Sequence, residues 1–314
     1  MSDLGERTAV PPQGKGCVGF IGLGTMGREM AANLLKAGYR VQAFDVIPAA
    51  LDTAVAAGGV AATSPANAAE GADIAVLMLP DTPQVEEVIY GENGLLVAPP
   101  AGRLIVDMST ISPVATRRIH ADLAEAGVAF IDAPVSGGSI GAKNATLSIM
   151  AGGEASAFAR AAPVLRAMGT TISLVGAAGA GQTVKLCNQL VCGINIQAIC
   201  EALALARASG VDLAQLRSVL LGGSANSWMI ENLGAAMIAG DDSAGFRIDL
   251  MLKDLRLAHD HAQALSVPLP ATALVTSQYV DARVHGEGHC GNQALFRVYD
   301  RMTNQLRDDG GARR

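Results

Sequence analysis

The sequence predicts an α/β domain with a doubly wound parallel sheet, followed by an all-α domain. Its 314 residues suffice for about two domains at roughly 150 residues each. From Cys17 onward short continuous apolar runs alternate with helical patterns, as in a parallel sheet covered on both faces. After Gly176 strand-like runs stop and long Ala/Leu patterns follow. The expected divisions are a disordered leader over 1–15, the α/β domain over 16–178 and the helical domain over 179–314.

Taken in order, Cys17–Ile21 reads as a strand and 26–37 as a helix closed by Gly38. A second strand at 41–44 precedes a helix near 49–57, and further buried-type strands fall at 74–79, Leu104–Asp107 and 128–131. Helical patterns at 85–90 and Pro113–Glu125 separate them, and 147–150 and 173–175 add strands at the far end. The helical half carries patterns at 183–209, Leu213–Leu221, 250–264 and 271–284. A first helix of about twenty-five residues spans roughly 38 Å. That exceeds a small domain, so it bridges to a neighbour or packs in a homodimer or homotetramer.

Composition excludes several classes. Half the residues are hydrophobic and only 17% are charged, enough apolar material for a full core. A net charge of −6 argues against a nucleic-acid partner, whose binders present a basic face. Five cysteines, at 17, 187, 192, 200 and 290, form no C-x-x-C pair, so buried thiols in a cytoplasmic compartment are expected. The most apolar stretch, 184–206, is interrupted by Lys185, Asn188, Gln189, Asn195, Gln197 and Glu201, so no membrane span is expected.

Gly22-Leu23-Gly24-Thr25-Met26-Gly27 is G-x-G-x-x-G between a strand and a helix. Asp45 closes the second strand, 23 positions after the first glycine, near the ~20 expected for an acid on the ribose hydroxyls. Together they indicate a Rossmann-type dinucleotide site, with the pyrophosphate at the helix N-terminus. Asp45 repels a 2′-phosphate and no Arg follows it directly, so NAD is favoured over NADP. Leu79, Pro80 and Thr110 follow the third and fourth strands, where ligands sit in such sheets. Pro80 as a strand terminator and Thr110 as a helix cap are equally open readings.

Three later strings stand out. Asp132-Ala133-Pro134-Val135-Ser136-Gly137-Gly138 is a turn with backbone donors suited to a carboxylate. Gly181-Gln182-Thr183-Val184-Lys185-Leu186-Cys187-Asn188-Gln189 opens the long helix, with Lys185, Asn188 and Gln189 on one face. Composition alone favours a snorkelling Lys185 over a functional one. Lys253-Asp254-Leu255 adds a further cation on a later helix.

In this order the motifs resemble those of the β-hydroxyacid dehydrogenase family, the group of 3-hydroxyisobutyrate dehydrogenase and tartronate semialdehyde reductase. The similarity runs from about residue 16 to 300 and includes Asn33-Leu34-Leu35-Lys36-Ala37-Gly38 after the glycines. It implies that Lys185 is the catalytic acid/base and that Ser136, Gly137, Gly138, Asn188 and Gln189 hold the substrate. Leu79, Pro80, Thr110 and Lys253 would then contact the dinucleotide or its surroundings, beside Gly22 to Gly27 and Asp45. The implied reaction is reversible hydride transfer between a nicotinamide and a short 3-hydroxy acid or semialdehyde. Asn188-Gln189, Asn195-Ile196, Glu201-Ala202-Leu203 and the segment Gly245 to Leu250 resemble the tartronate semialdehyde reductases. Ala43-Phe44-Asp45-Val46 resembles the hydroxyisobutyrate enzymes instead.

Other classes fare worse. Gly137-Gly138-Ser139-Ile140-Gly141 spells the G-x-S-x-G of a hydrolase, but that elbow needs a helix directly after the serine, and 142–150 reads as turn then strand. His259/His261 and His285/His289/Cys290 lack metal-ligand spacing, since residues at i, i+2 on a helix point apart; no metal is expected. A non-catalytic dinucleotide-binding module leaves Lys185 with Asn188 unexplained. Imine reductases typically lack a lysine at that place.

Overall fold

The structure, a computed structural model, describes residues 15–97 and 103–303. The expected leader therefore lies outside the described residues apart from Lys15. The first half runs β1 (Cys17–Ile21), α1 (Gly27–Lys36), β2 (Arg40–Phe44), α2 (Pro48–Ala56), β3 (Val60–Ala61), α3 (Pro65–Ala69), β4 (Ile74–Leu77) and α4 (Thr82–Tyr90). It continues with β5 (Leu104–Asp107), α5 (Pro113–Glu125), β6 (Ala129–Asp132), β7 (Val135–Ser136), α6 (Gly138–Asn144), β8 (Leu147–Gly153), α7 (Ala155–Leu165) and β9 (Gly169–Gly176).

The sheet order is β3-β2-β1-β4-β5-β6-β8-β7, with β9 on β8. Strands β1 to β6 are all parallel. β8 runs antiparallel to β6 and β7 and parallel to β9. Alternation along each strand feeds two cores. Val18, Phe20, Ile74, Val76, Leu104 and Val106 join the core under α1 and α7. Ile21, Ala75, Leu77 and Ile105 join the core under α4 and α5. Both faces are dry, which is why these strands read as continuous apolar runs. Gly19 stands where a Cβ would lie 2.5 Å from the Ala68 carbonyl, so α3 docks directly on β1.

The helical half comprises α8 (Ala180–Ala208), α9 (Leu213–Leu221), α10 (Trp228–Asn232), α11 (Gly234–Ala239), α12 (Ile248–Ala264), α13 (Pro270–Val284) and α14 (Phe296–Met302), with a 3-10 turn at Asn292–Leu295. Ile196, Cys200, Leu203, Leu255, Tyr279 and Phe296 centre its core. By length and composition α8 is apolar enough to cross a membrane, despite its polar interruptions, and half of its most apolar window is buried inside the fold. Its packing on α12 and α13 is that of a core helix.

The short elements α6, α10 and α11 escaped the sequence pattern because so few residues show no periodicity. One consequence is a correction. A helix does follow Ser139 directly, as α6, so the reason given above against a nucleophile elbow does not hold. What stands against it is that no histidine among the described residues hydrogen-bonds Ser139.

Candidate active site

The β1–α1 turn has the geometry of a pyrophosphate cradle. Gly22 has φ +97°, and a Cβ there would lie 2.3 Å from the Met78 carbonyl. A Cβ on Gly27 would lie 1.9 Å from the Gly22 carbonyl, so only glycine lets α1 start this close. Gly24 is exposed, with nothing within 4 Å of its would-be Cβ. These are the tight turn, the helix–strand contact and the open approach that a dinucleotide site requires. Asp45 anchors the loop, accepting the Leu23 N–H at 2.6 Å and the Ile47 N–H at 2.8 Å. The turn lies beside the switch point between β1 and β4, and Leu79 touches it: its Cδ2 is 3.0 Å from the would-be Gly22 Cβ. The residues present fit a bound dinucleotide.

The head of α8 is fastened to the end of β6. Asp132 accepts the N–H groups of Gly179 and Gln182, each at 2.8 Å. Burial pushes its carboxyl up to about 6, with those two hydrogen bonds pulling the other way. Gln182 donates to the Ser109 carbonyl at 2.8 Å and accepts the Ile111 N–H at 3.1 Å. Ser109 Oγ in turn accepts the Leu79 N–H at 2.9 Å. Leu79, the Thr110 loop and α8 are thus one hydrogen-bonded unit.

One turn further, Lys185 is only 6% exposed. Its Nζ donates to Gln189 Oε1 at 3.0 Å, which also accepts Asn188 Nδ2 at 2.9 Å. Among the described residues no carboxylate lies within ion-pair distance of this ammonium. Burial holds the Lys185 amine below its ordinary value, and Lys253 adds to that effect while Asp254 opposes it. Lys253 donates to the Thr110 carbonyl at 2.6 Å and lies 2.8 Å from Asp254 Oδ1. Beneath them Asp107 accepts the Ser109 N–H at 3.0 Å, and burial pushes its carboxyl up to about 7.

The structure therefore joins Leu79, Thr110, Lys185, Asn188, Gln189 and Lys253 in one network. Pro80 is exposed at its rim. Ser136, Gly137 and Gly138 approach only through β8, on which Ser136 pairs with Ser148 and α8 packs. No hydrogen bond among the described residues ties that turn to Lys185. Sequence reasoning missed Asp107, and gave Asp132, Gln182 and Asp254 no role of their own. Gln182 had a signal, standing three residues before Lys185 on the same face. Among the described residues no cluster of His, Cys, Asp and Glu could hold a metal.

Comparison with known proteins places the chain among dehydrogenases. Residues 17–176 match the model of the NAD binding domain of 6-phosphogluconate dehydrogenase. Residues 179–299 match the model described as NAD-binding of NADP-dependent 3-hydroxyisobutyrate dehydrogenase. The chain is 42% identical to the 2-hydroxy-3-oxopropionate reductase of Escherichia coli over 91% of this chain and 98% of that one. It is 41% identical to the NAD-dependent L-serine dehydrogenase of Pseudomonas aeruginosa, over 83% and 90% of the two chains. Among solved structures, a Mycobacterium tuberculosis 3-hydroxyisobutyrate dehydrogenase with L-serine superposes with a TM-score of 0.83 at 36% identity, covering 90% and 98%.

Proposed function

Because the chain belongs to the β-hydroxyacid dehydrogenase family and is an NAD(P)-dependent oxidoreductase, we propose that it interconverts 2-hydroxy-3-oxopropionate and its 3-hydroxy acid, with Lys185 as the acid/base. The observation that carries this is the state of Lys185: a buried ammonium whose one hydrogen bond among the described residues goes to a neutral amide. Burying a cation with no carboxylate in direct contact is costly, a cost that a proton-transfer role accounts for.

When bound, the nicotinamide supplies or accepts the hydride. The glycine loop and Asp45 hold the dinucleotide, with Leu79, Pro80, Thr110 and Lys253 along its groove. Ser136, Gly137 and Gly138 hold the substrate carboxylate, and Asn188 orients its hydroxyl or carbonyl oxygen. In reduction Lys185 Nζ gives its proton to that oxygen as charge builds there; in oxidation the neutral amine takes it. A free lysine near 10.4 is a weak base at neutral pH, and burial in the helix interface brings it nearer working pH. The likeness to a 2-hydroxy-3-oxopropionate reductase and the Asn188-Gln189 pair, which resembles that of the tartronate semialdehyde reductases, favour this substrate. The alternative is 3-hydroxyisobutyrate, favoured by the likeness to structures of that name. We further propose a homodimer or homotetramer formed through the helical half, and a cytoplasmic setting, in keeping with five free cysteines.

The test is NADH oxidation with 2-hydroxy-3-oxopropionate, methylmalonate semialdehyde, succinate semialdehyde and glyoxylate, and NAD reduction with L-serine. The highest kcat/KM is expected for the first; a higher value with another acid reassigns the substrate. Lys185→Ala should lower kcat by about 10²–10⁴-fold and leave dinucleotide affinity nearly unchanged. A folded variant with wild-type turnover would remove Lys185 from the mechanism.

A further inference from the structure

Gln189 is committed on both ends. Its Oε1 accepts Lys185 Nζ at 3.0 Å and Asn188 Nδ2 at 2.9 Å, while its Nε2 donates to Asp254 Oδ2 at 2.5 Å. The carboxylate fixes which end of the amide faces which neighbour, since it only accepts and the ammonium only donates. Lys185, Gln189 and Asp254 are all buried, Asp254 being only 2% exposed. The other oxygen of Asp254 lies 2.8 Å from Lys253, whose hydrogen bond is spent on the Thr110 carbonyl. A buried carboxylate thus stands between two lysines, touching one directly and the other through an amide.

We propose that Asp254 is a positioning residue that acts through Gln189 to hold Lys185 in place and to set how tightly it keeps its proton; this rests on the acid/base role given to Lys185 above. The amide transmits the charge, because a hydrogen bond from Nε2 to a carboxylate polarises the group and makes Oε1 a stronger acceptor. That favours the ammonium. Asp254 also offsets Lys253, which would otherwise push the Lys185 proton off. The remaining groups on the elements around Lys185 act less directly. Cys192 lies on α8 itself, and Tyr279 of α13 interacts electrostatically with Cys192. Asp132 of β6 caps the head of α8, and Asp107 of β5 interacts with the charge of Lys253. Burial and Lys253 lower the lysine, and Asp254 is the largest influence raising it. On this account Gln189 serves the lysine, with its amide unavailable to the substrate.

The decisive measurement is the pH profile of kcat/KM in both directions for wild type, Asp254→Asn and Gln189→Met. In wild type the reduction falls, and the oxidation rises, as Lys185 loses its proton. In Asp254→Asn both limbs should move together to lower pH, by about one unit. In Gln189→Met, which breaks the link and keeps both charges, they should move the same way by less. A structural Asp254 predicts unmoved limbs with activity lowered evenly at every pH, and that result overturns the proposal. If Asp254→Asn does not fold, the limbs of Gln189→Met decide alone. Lys185→Ala separates the two levels. If it keeps turnover, the acid/base role fails; if it is inactive while the limbs of both other variants coincide with wild type, only the role of Asp254 fails.

Discussion

Single carboxylates show how one side chain can serve structure and chemistry together. Asp45 spends both oxygens on backbone N–H groups of the glycine loop and its own turn, so it shapes the cradle and also sets its charge. Val46 beside it is 80% exposed, so an arginine there disturbs no packing. NAD is expected to exceed NADP in kcat/KM, and Asp45→Ser with Val46→Arg should move the ratio toward NADP by at least about tenfold. Equal use of NADPH by the wild type would contradict this. Asp107 makes a different prediction. Burial raises its carboxyl to about 7, against roughly 3.9 unfolded. The folded chain therefore binds this proton more tightly, and the stability that it contributes below about pH 4 is lost as pH rises through 7. Asp107→Asn keeps an acceptor for the Ser109 N–H and removes the ionisation. The melting temperature of the variant minus that of wild type should be more positive at pH 8 than at pH 5. The same difference at both pH values would show that Asp107 is not protonated in the fold.

Among the elements, α8 explains why two glycine strings that look alike have different surroundings. A Cβ on Gly181 would lie 2.3 Å from the Met150 carbonyl and 2.7 Å from Asp132 Oδ2, so the head of α8 presses on β8 and on its own cap. A Cβ on Gly24 would meet nothing. Gly181→Ala is expected to destabilise the fold by about 1–3 kcal/mol, read from the denaturant midpoint. Gly24→Ala should unfold like wild type and lose dinucleotide affinity, so a stability loss there would argue against an open cradle. Much of this was visible in the chain. The runs at Cys17–Ile21 and Leu104–Asp107 gave strands with their observed bounds, because strands buried on both faces are apolar without a break. Lys185, Asn188 and Gln189 gave a shared face because helical spacing is fixed. Asp254 was hidden, since nothing local marks a carboxylate whose partner Gln189 is 65 residues away. α6 was hidden by its glycines, and the contact between Asp132 and α8 exists only once β6 and β8 are paired.

For the whole molecule, the outer face of α8 gives the proposed assembly a place where it can be tested. Val184, Val191, Ala198 and Leu205 recur every seven residues, with Cys187, Ile194, Glu201 and Ala208 between them at the complementary heptad positions. Val191 is 66% and Leu205 71% exposed, and Val184 39%, while the opposite face of the helix is packed on α12 and α13. A seven-residue apolar repeat matches the 3.5-residue periodicity by which one helix seats its side chains between those of another. One charge, Glu201, interrupts it, so the stripe is close to self-complementary and suits a second copy of the chain across a two-fold axis. Light scattering at micromolar concentration should then give a multiple of 32.0 kDa. Replacing Val191 and Leu205 together by Glu sets like charges along that seam and touches no buried side chain. The variant should keep its melting profile at low concentration while its mass falls toward the monomer. A wild-type mass of 32.0 kDa across the micromolar range would sink the assembly, and an unchanged oligomer in the double variant would move it to another face of the helical half.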